Sequence, residues 1–498
     1  MTRLWLSICL LLGTVCNCEV YTKTNQWPNR TVIVQLFEWK WADIAEECER
    51  FLGPNGYGGV QISPASENLI IHLNDGTRPW YERYQVMSYK LKTRSGDKTD
   101  FLHMTTRCNN VGVRIYVDVV FNHMTGNHNT NKGTAGSTAD FANLNYPAVA
   151  YRREHFHHPE CGINNYDNAA EVRDCELVGL KDLNQTMPYV RQKIVDYLNR
   201  LINLGVAGFR VDAAKHMWPE DLKEMYKSLN DLHTQHGFQL NSRPYIYQEV
   251  ANGGAVKTYD YKDIGDVTEF TTVSELYNFF TGQKTLKYLR SWGNPSWGIL
   301  PSENALVFVD NHDTQRNNEG LTYKSGTLYK IATAFLLAHP YGAPRIMSSY
   351  YFDRNDQGPP HDSNENIQSP VINQDGSCGG GWVCEHRWPS IHKMVSFKNS
   401  VGNTQLENWW DNDNNQIAFS RGNKGFVVFN KEGREMNVTL QTGLPEGKYC
   451  DVISGKREGD GCSGKTINVS DKGLASIKLS GIGDELHLAI HVGEESRL

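Results

Sequence analysis

Eight short runs rich in β-branched residues, each ending in polar or charged side chains, constrain this chain more than any other feature. They are VIVQLFEW (32–39), GVQISPASE (59–67), VRIYVDVVFNH (113–123), GFRVDAAKH (208–216), YIYQEV (245–250), VTEFTTV (267–273), LVFVDNHD (306–313) and RIMSSYYF (345–352). Helical patterns lie between them. From Tyr189 to Leu204, the residues Val190, Ile194, Tyr197, Leu198 and Leu201 recur at helical spacing and Gly205 offers a stop; the stretch from Leu328 to Leu337 reads likewise and ends at His339-Pro340-Tyr341-Gly342. Apolar strands alternating with helices predict a parallel sheet. Eight such units predict an α/β fold closed into a (β/α)8 TIM barrel, with the polar strand ends on the C-terminal rim where barrel active sites are built. An open doubly wound sheet is the alternative.

Two segments break the repeat. From Met124 to about Pro188 the chain is rich in Asn, Gly and His, holds Cys161 and Cys175, and shows no clear helix. An excursion this long between two barrel strands is usually functional. After about Leu406 helical patterns give way to short alternating runs such as QIAFSRG and GFVVFNKEG, which read as hairpins. The predicted organisation is therefore a signal peptide (1–18), a barrel (19–123 and 189–405), a loop-rich domain inserted after strand 3 (124–188) and a C-terminal antiparallel β-sandwich (406–498).

Composition narrows the function classes. The 498 residues suit one large barrel with a smaller module, and the net charge of −6 lacks the basic footprint of a nucleic-acid partner. The 24 Tyr, 12 Trp and 18 Phe suit a carbohydrate enzyme, since sugar C–H faces stack on rings, and equally suit the filling of a large core. Arg3 precedes an apolar run from Leu4 to Val15 that is too short to span a bilayer, the form of a secretory signal cleaved near Cys18 or Glu19. No later stretch reaches about 18 apolar residues, so no membrane anchor is expected. Cys9, Cys16 and Cys18 lie in or beside the signal. The remaining eight cysteines suit four disulfides in an oxidising compartment, with Cys378 near Cys384 and Cys450 near Cys462 as local pairs. Sequons stand at Asn29, Asn184, Asn437 and Asn468.

Asp212, Glu249 and Asp313 fall at strand ends. Glycoside hydrolysis needs one acid to protonate the leaving oxygen and one carboxylate to attack or to direct water. A third can hold hydroxyls or stabilise oxocarbenium-like charge. Taken singly, an Asp or Glu at a strand end is more often a helix N-cap or loop anchor.

The runs DVVFNH (118–123), GFRVDAAKH, QEV (248–250) and FVDNHD (308–313) resemble, in order, the four signature regions of the α-amylase family, at strands three, four, five and seven of its barrel. LFEWKW, LVGLKDLN, AHPYG and MSSYYF resemble its animal-type branch, and the likeness covers nearly the whole mature chain. The resemblance implies that Asp212 is the nucleophile, Glu249 the general acid/base and Asp313 the carboxylate assisting the transition state. A retaining mechanism places the first two carboxyl groups about 5–5.5 Å apart, and the chemistry requires Glu249 to hold its proton near neutral pH. His123 and His312 would donate hydrogen bonds to the sugar at the cleavage point, and Lys215 would reach the sugar beyond it. Trp80, Tyr81 and Tyr84 in PWYERYQ resemble the stacking platform, with Tyr81 standing where animal enzymes usually carry a second Trp; Gln85 and Tyr166 are further implied substrate contacts. The likeness pairs Cys48 with Cys108, Cys161 with Cys175, Cys378 with Cys384 and Cys450 with Cys462.

Two ions are implied by the same resemblance. Calcium, which takes six to eight oxygen ligands, maps onto the Asn122 side chain, the Asp182 carboxylate and the main-chain oxygens of Arg173 and His216, clipping the insertion to the barrel. The histidines of HFHHPE (155–160) read as a solvated loop in preference to a zinc site. Chloride maps onto Arg210, Asn311 and Arg345, where it would offset the pull of the arginines on the proton of Glu249. By strand alternation Arg210 points to the same side as Asp212. After Asp313 the animal enzymes usually carry a Gly-rich mobile loop, whereas RNNEGLTYKSG here is shorter and lacks the glycine cluster. The reading is thus a secreted, monomeric endo-hydrolase of starch and glycogen, with no nucleic-acid partner. Its rivals are an α-glucosidase or transglycosidase on the same barrel, and a non-enzymatic binding protein that kept the fold.

Overall fold

Parallel pairing of eight strands closes a complete ring in the computed structural model, which describes residues 21–317 and 319–498. The strands are β1 (Ile33–Leu36), β2 (Gly59–Ile62), β3 (Arg114–Val119), β4 (Gly208–Val211), β5 (Tyr245–Gln248), β6 (Asp266–Thr268), β7 (Ala305–Val307) and β8 (Ala343–Ser348). Ring closure comes from β1 against β8, with Ile33 opposite Arg345 and Leu36 opposite Ser348. That settles the barrel over the open sheet. The expected signal peptide, residues 1–18, lies outside the described residues.

Alternation explains why the runs look apolar yet carry one polar residue each. Val34, Val60, Val117, Phe209 and Ile246 are buried under the surrounding helices, while Gln35, Gln61, Asp118, Arg210, Tyr247 and Arg345 fill the interior. Those interior groups bond to one another across the ring: Tyr247 Oη and Arg345 Nη1 both donate to Gln61 Oε1, at 2.9 and 2.8 Å. The barrel therefore carries a polar network directly beneath its C-terminal rim.

The outer helices follow from standard signals. Helix α1 (Trp41–Glu47) is joined to α2 (Lys98–Asn110) by the Cys48–Cys108 disulfide. Asp97 caps α2 by accepting from Thr99 and Asp100 N–H. A short helix, α3 (Ala169–Asp174), stands inside the insertion, where no helix was expected. It is only six residues long, too short for periodicity to reveal, though Asn168 caps it. Helix α4 (Pro188–Asn203) begins on Pro at its first turn and buries Val190, Ile194, Tyr197, Leu198 and Leu201; Gly205, at φ 93°, allows the turn into β4. The helices α5 (Pro219–Lys227), α6 (Thr271–Thr281), α7 (Thr327–Ala338) and α8 (Pro389–Val401) complete the set. The run 267–273 divides between β6 and the start of α6, because Glu269 Oε1 accepts from Thr271 N–H and turns the chain.

The C-terminal part is all-β. Strands β9 (Leu406–Asp411), β10 (Gln416–Arg421), β11 (Gly425–Asn430) and β16 (His487–His491) form one antiparallel sheet. Two antiparallel pairs, β12 (Met436–Gln441) with β15 (Leu474–Leu479) and β13 (Gly447–Cys450) with β14 (Thr466–Val469), enclose with it a second core around Phe426, Leu440, Tyr449 and Ile477. Phe419 and Phe429 pack on Phe335 of α7, and buried Arg421 donates to the carbonyls of Thr404, Ala338 and Gly402, tying this part to the barrel. Four disulfides are present among the described residues: Cys48–Cys108, Cys161–Cys175, Cys378–Cys384 and Cys450–Cys462. No helix among the described residues is long and apolar enough to cross a membrane.

Candidate active site

Asp212 and Glu249 are the first residues beyond β4 and β5, and the barrel ladder still holds their backbones. Asp212 N–H donates to Val119 O at 3.0 Å, and Glu249 N–H to Val211 O at 2.9 Å. Their side chains meet on one cation. Arg210 Nη1 lies 2.8 Å from Asp212 Oδ1 and Nη2 lies 2.7 Å from Glu249 Oε1. The same Nη1 contacts both oxygens of Asp118 on β3, at 2.7 and 2.8 Å. Glu249 Oε2 also accepts the Ala213 N–H at 2.8 Å, which is aimed there because Ala213 adopts left-handed backbone at φ 50°. Asp313 follows β7 by six residues, on a turn that Asn311 fixes by accepting from the N–H groups of Asp313 and Thr314.

Burial dominates the electrostatics. It pushes the carboxyls of Asp118 and Asp212 above the usual range, with Arg210 opposing, and raises Asp313, where Glu249 adds like-charge repulsion. Burial acts against the Arg210 charge, but Asp118, Glu249 and Asp212 more than offset it, so the guanidinium stays charged. Burial lowers His123 to about 4 and, with the nearby arginines, holds His312 well below its ordinary value, so both imidazoles are neutral at neutral pH.

A hydrogen-bond chain fixes the His312 tautomer. Gln35 Nε2 donates to Nδ1 at 3.0 Å, which leaves the proton on Nε2, 2.9 Å from Tyr84 Oη and 3.2 Å from Asp313 Oδ2. Tyr84 in turn donates to Asp118 Oδ2 at 2.9 Å. Asp313, His312, Tyr84, Asp118 and Arg210 thus form one connected network.

Asp212, Glu249, Asp313, His312 and Tyr84 face a cleft of about 320 Å³ on the C-terminal rim, lined also by Trp80, Tyr81, His123, Lys215, Leu177 and Val178. Trp80, Tyr81 and Tyr84 come from one 3-10 turn, Trp80–Tyr84, and the Trp80 ring stands edge-on to Tyr84 and to His312. Lys215 donates to Gly253 O at 3.0 Å and sits 5.5 Å from the half-exposed Tyr166 ring. Gln85 is spent on the insertion, its Oε1 accepting the Gly126 N–H at 2.7 Å. A larger cavity, of about 740 Å³, opens at the opposite end of the barrel beside Asp266 and Lys398; the clustered carboxylates are absent from it.

The expected ion ligands can be tested on unpaired atoms. Asn122 Oδ1 and Asp182 Oδ1 are buried acceptors with no hydrogen-bond partner, one on each side of the bridge that pairs His123 with Asp182. Two oxygens left bare in this way suit a hard cation. His216 Nδ1 bonds Val172 O at 2.9 Å, which brings the His216 side chain against the main chain next to Arg173. The Arg173 side chain turns away to Asp260, Tyr261 and Trp218, leaving its carbonyl as the group to offer. For the anion, Arg345 Nε and Nη2 and Gln61 Nε2 are buried donors without partners, in the barrel beneath Arg210. The bare oxygens thus suit a hard cation and the unpaired donors of Arg345 and Gln61 suit an anion, whereas the Arg210 nitrogens are engaged by carboxylates. In HFHHPE the expectation of a solvated loop holds for the exposed His158, Pro159 and Glu160 but not for the rest: His155 stacks on Tyr189 at 4.5 Å, and His157 bonds Asp182 Oδ2 at 2.6 Å, because the insertion folds back on the barrel. No cluster of three or more His, Cys, Asp or Glu suited to a metal occurs among the described residues. Of the sequons, Asn29, Asn437 and Asn468 are exposed, whereas Asn184 uses its Oδ1 to bind Thr186.

Sequence reasoning passed over Asp118, Gln35 and Gln61. Asp118 opens the motif DVVFNH, and its alternation with Val117 and Val119 marked it as inward-facing.

Comparison with known proteins agrees with this geometry. Residues 77–296 match the α-amylase catalytic domain and residues 408–493 the α-amylase C-terminal all-β domain. The chain is 56% identical to the α-amylase of Tribolium castaneum over 468 residues, 93% of this chain and 94% of the relative. It is 52% identical to an α-amylase-related protein of Drosophila willistoni over 493 residues, 98% and 99% of the two. The crystal structure of α-amylase I from Eisenia fetida superposes with a TM-score of 0.90 at 42% identity, covering 95% of this chain and 99% of that one. A variant of the same enzyme, solved with maltohexaose, superposes with a TM-score of 0.88. On its barrel, its all-β partner domain and this shared sequence, the chain belongs to the α-amylase family of glycoside hydrolases.

Proposed function

We propose that this enzyme hydrolyses internal α-1,4 bonds of starch, glycogen and maltooligosaccharides with retention of anomeric configuration. The observation that carries the reading is the pair of carboxylates, Asp212 and Glu249, held by one guanidinium at the floor of the cleft with Asp313 beside them. That closeness suits a double displacement, whose carboxyl groups sit about 5–5.5 Å apart. Asp212 attacks the anomeric carbon while Glu249 gives its proton to the departing glycosidic oxygen, and a glycosyl ester on Asp212 results. Glu249 then takes a proton from water as that water attacks the same carbon and frees the Asp212 carboxylate. Two inversions restore the α configuration.

Asp313 stabilises the positive charge that develops on the sugar ring. The neutral His123 and His312 would offer substrate hydroxyls the Nε2–H groups that they give to the Tyr84 carbonyl and hydroxyl in the free cleft, with Lys215 and Tyr166 beyond the cleaved bond. Trp80, Tyr81 and Tyr84 offer faces for sugar stacking. Asn122, Asp182 and the carbonyls of Arg173 and His216 would hold calcium, which would supply a cross-link between insertion and barrel. Arg210, Asn311 and Arg345 would hold chloride, whose negative charge would offset part of the arginine charge beneath the two carboxylates.

Four disulfides suit an oxidising compartment, so we read the protein as secreted, working as a monomer, with domain limits at 123/124, 188/189 and 405/406. The test of the mechanism is to trap the ester with a slow, fluorinated glucosyl fluoride and map it by peptide mass spectrometry. The label is expected on the peptide containing Asp212. A label on another carboxylate, or turnover without any covalent adduct, would overturn the assignment.

A further inference from the structure

Arg316 is a buried cation with no carboxylate at ion-pair distance among the described residues. Its guanidinium carbon instead lies within 4.3 to 5.4 Å of four ring centroids: Phe352, Trp80, Phe37 and Tyr350. Leaving a desolvated charge without an anion is costly, and the faces of aromatic rings are the available compensation. Two further contacts run to the catalytic turn. Nη1 donates to His312 O at 2.7 Å, and the backbone N–H of Arg316 donates to Asp313 O at 2.9 Å. Nη2 donates to Tyr350 Oη at 3.0 Å, closing the cage from the β8 side.

The consequence concerns Trp80. Its ring borders the cleft, stands edge-on to His312 at 5.5 Å and to Phe37 at 6.0 Å, and is tethered by its indole N–H to Asn355 O at 2.8 Å. Behind it lies the Arg316 guanidinium, 5.2 Å from the ring centroid. One residue therefore touches both the ring proposed to stack on sugar and the turn that carries Asp313. Lys324 shares the Phe352 ring at 3.9 Å but makes no contact with Trp80, so it does not duplicate the role.

We infer that Arg316 is a positioning residue for substrate: it holds the Trp80 ring in register with the His312–Asp313 turn, so that a sugar stacked on Trp80 is aligned with the carboxylates. The inference rests on the reading of Trp80 as a stacking surface. Its prediction is coupling: Arg316 should matter only while Trp80 is present.

The experiment is a double-mutant cycle on the secreted full-length enzyme, with maltoheptaose as substrate and kcat and KM measured separately. W80A is expected to raise KM about tenfold or more. R316M should raise KM by a similar factor with a smaller change in kcat, and should add less than about threefold in the W80A background. R316K keeps the charge but loses the planar fork, and should fall between R316M and the parent. If R316M does not fold, the same cycle is read with R316K, whose KM effect should vanish on W80A. An unchanged KM in the Arg316 variants alongside a raised KM in W80A overturns the inference and leaves the stacking role intact, as do fully additive effects. An unchanged KM in W80A overturns both.

Discussion

Arg210 touches three carboxylates through two nitrogens, so the charge state of the whole rim depends on one side chain. Below it, Arg345 leaves two buried donors unsatisfied. Unmet buried donors are costly, and an anion bound there would satisfy them. Exhaustive removal of chloride should therefore lower kcat severalfold or more in the parent, while Arg345→Gln should show activity that no longer responds to chloride. A parent enzyme that keeps full activity without chloride would sink this assignment. At this scale Asp212 and Glu249 were legible because a carboxylate directly after an apolar run falls at a strand end, and a strand end in a barrel is a rim position. Asp118, Gln35 and Arg316 were not, because their contacts cross from one strand or loop to another, and spacing along the chain says nothing about neighbours across the ring.

The insertion is the element whose geometry depends most on a few fixed points. Its backbone is pinned to the end of β3 through Met124 N–H to Lys181 O and Leu183 N–H to Asn122 O, and Cys161–Cys175 closes its outer part. Between these points sit the bare oxygens of Asn122 and Asp182, and burial lifts the Asp182 carboxyl up to about 7, against the pull of His157. A cation at that place would reverse the effect of burial and couple its own binding to folding. Chelation of calcium is expected to lower Tm by several degrees and to raise proteolytic cleavage between residues 124 and 188, with both restored by added calcium. Identical melting with and without chelator would count against the ligand set. The insertion was recognisable as a departure from the repeat, but its short helix and its folded-back histidines were not. A six-residue helix spans under two turns, too few for a period to show.

The whole molecule carries a pH dependence unrelated to the cleft. Asp266, at the opposite end of the barrel, is 3% exposed, accepts from Tyr245 Oη at 2.8 Å and has its other oxygen unpaired. Burial pushes its carboxyl up to about 7, well above the value of an unfolded chain. The folded state then binds the extra proton, so the stability it confers is full at about pH 4 and below and is lost as pH rises through about 7, on the order of a few kcal/mol. Asp266→Asn should melt above the parent at pH 8, with the gap closing or reversing near pH 5. A gap that does not change with pH would contradict the argument.

The barrel and its all-β partner were legible because binary patterning changes sharply at about residue 406, from helical periods to strict alternation. How the two pack was not, since Arg421 donates to carbonyls that lie up to 83 residues away in sequence. The central claim is that two carboxylates on adjacent strands carry out a double displacement within long chains. Its most direct test is NMR of the first products released from soluble starch, with calcium and chloride present, before mutarotation. A mixture of maltooligosaccharides whose new reducing ends are α is expected. Products with β ends would contradict the assignment of Asp212 as nucleophile, and release of glucose alone would contradict internal cleavage.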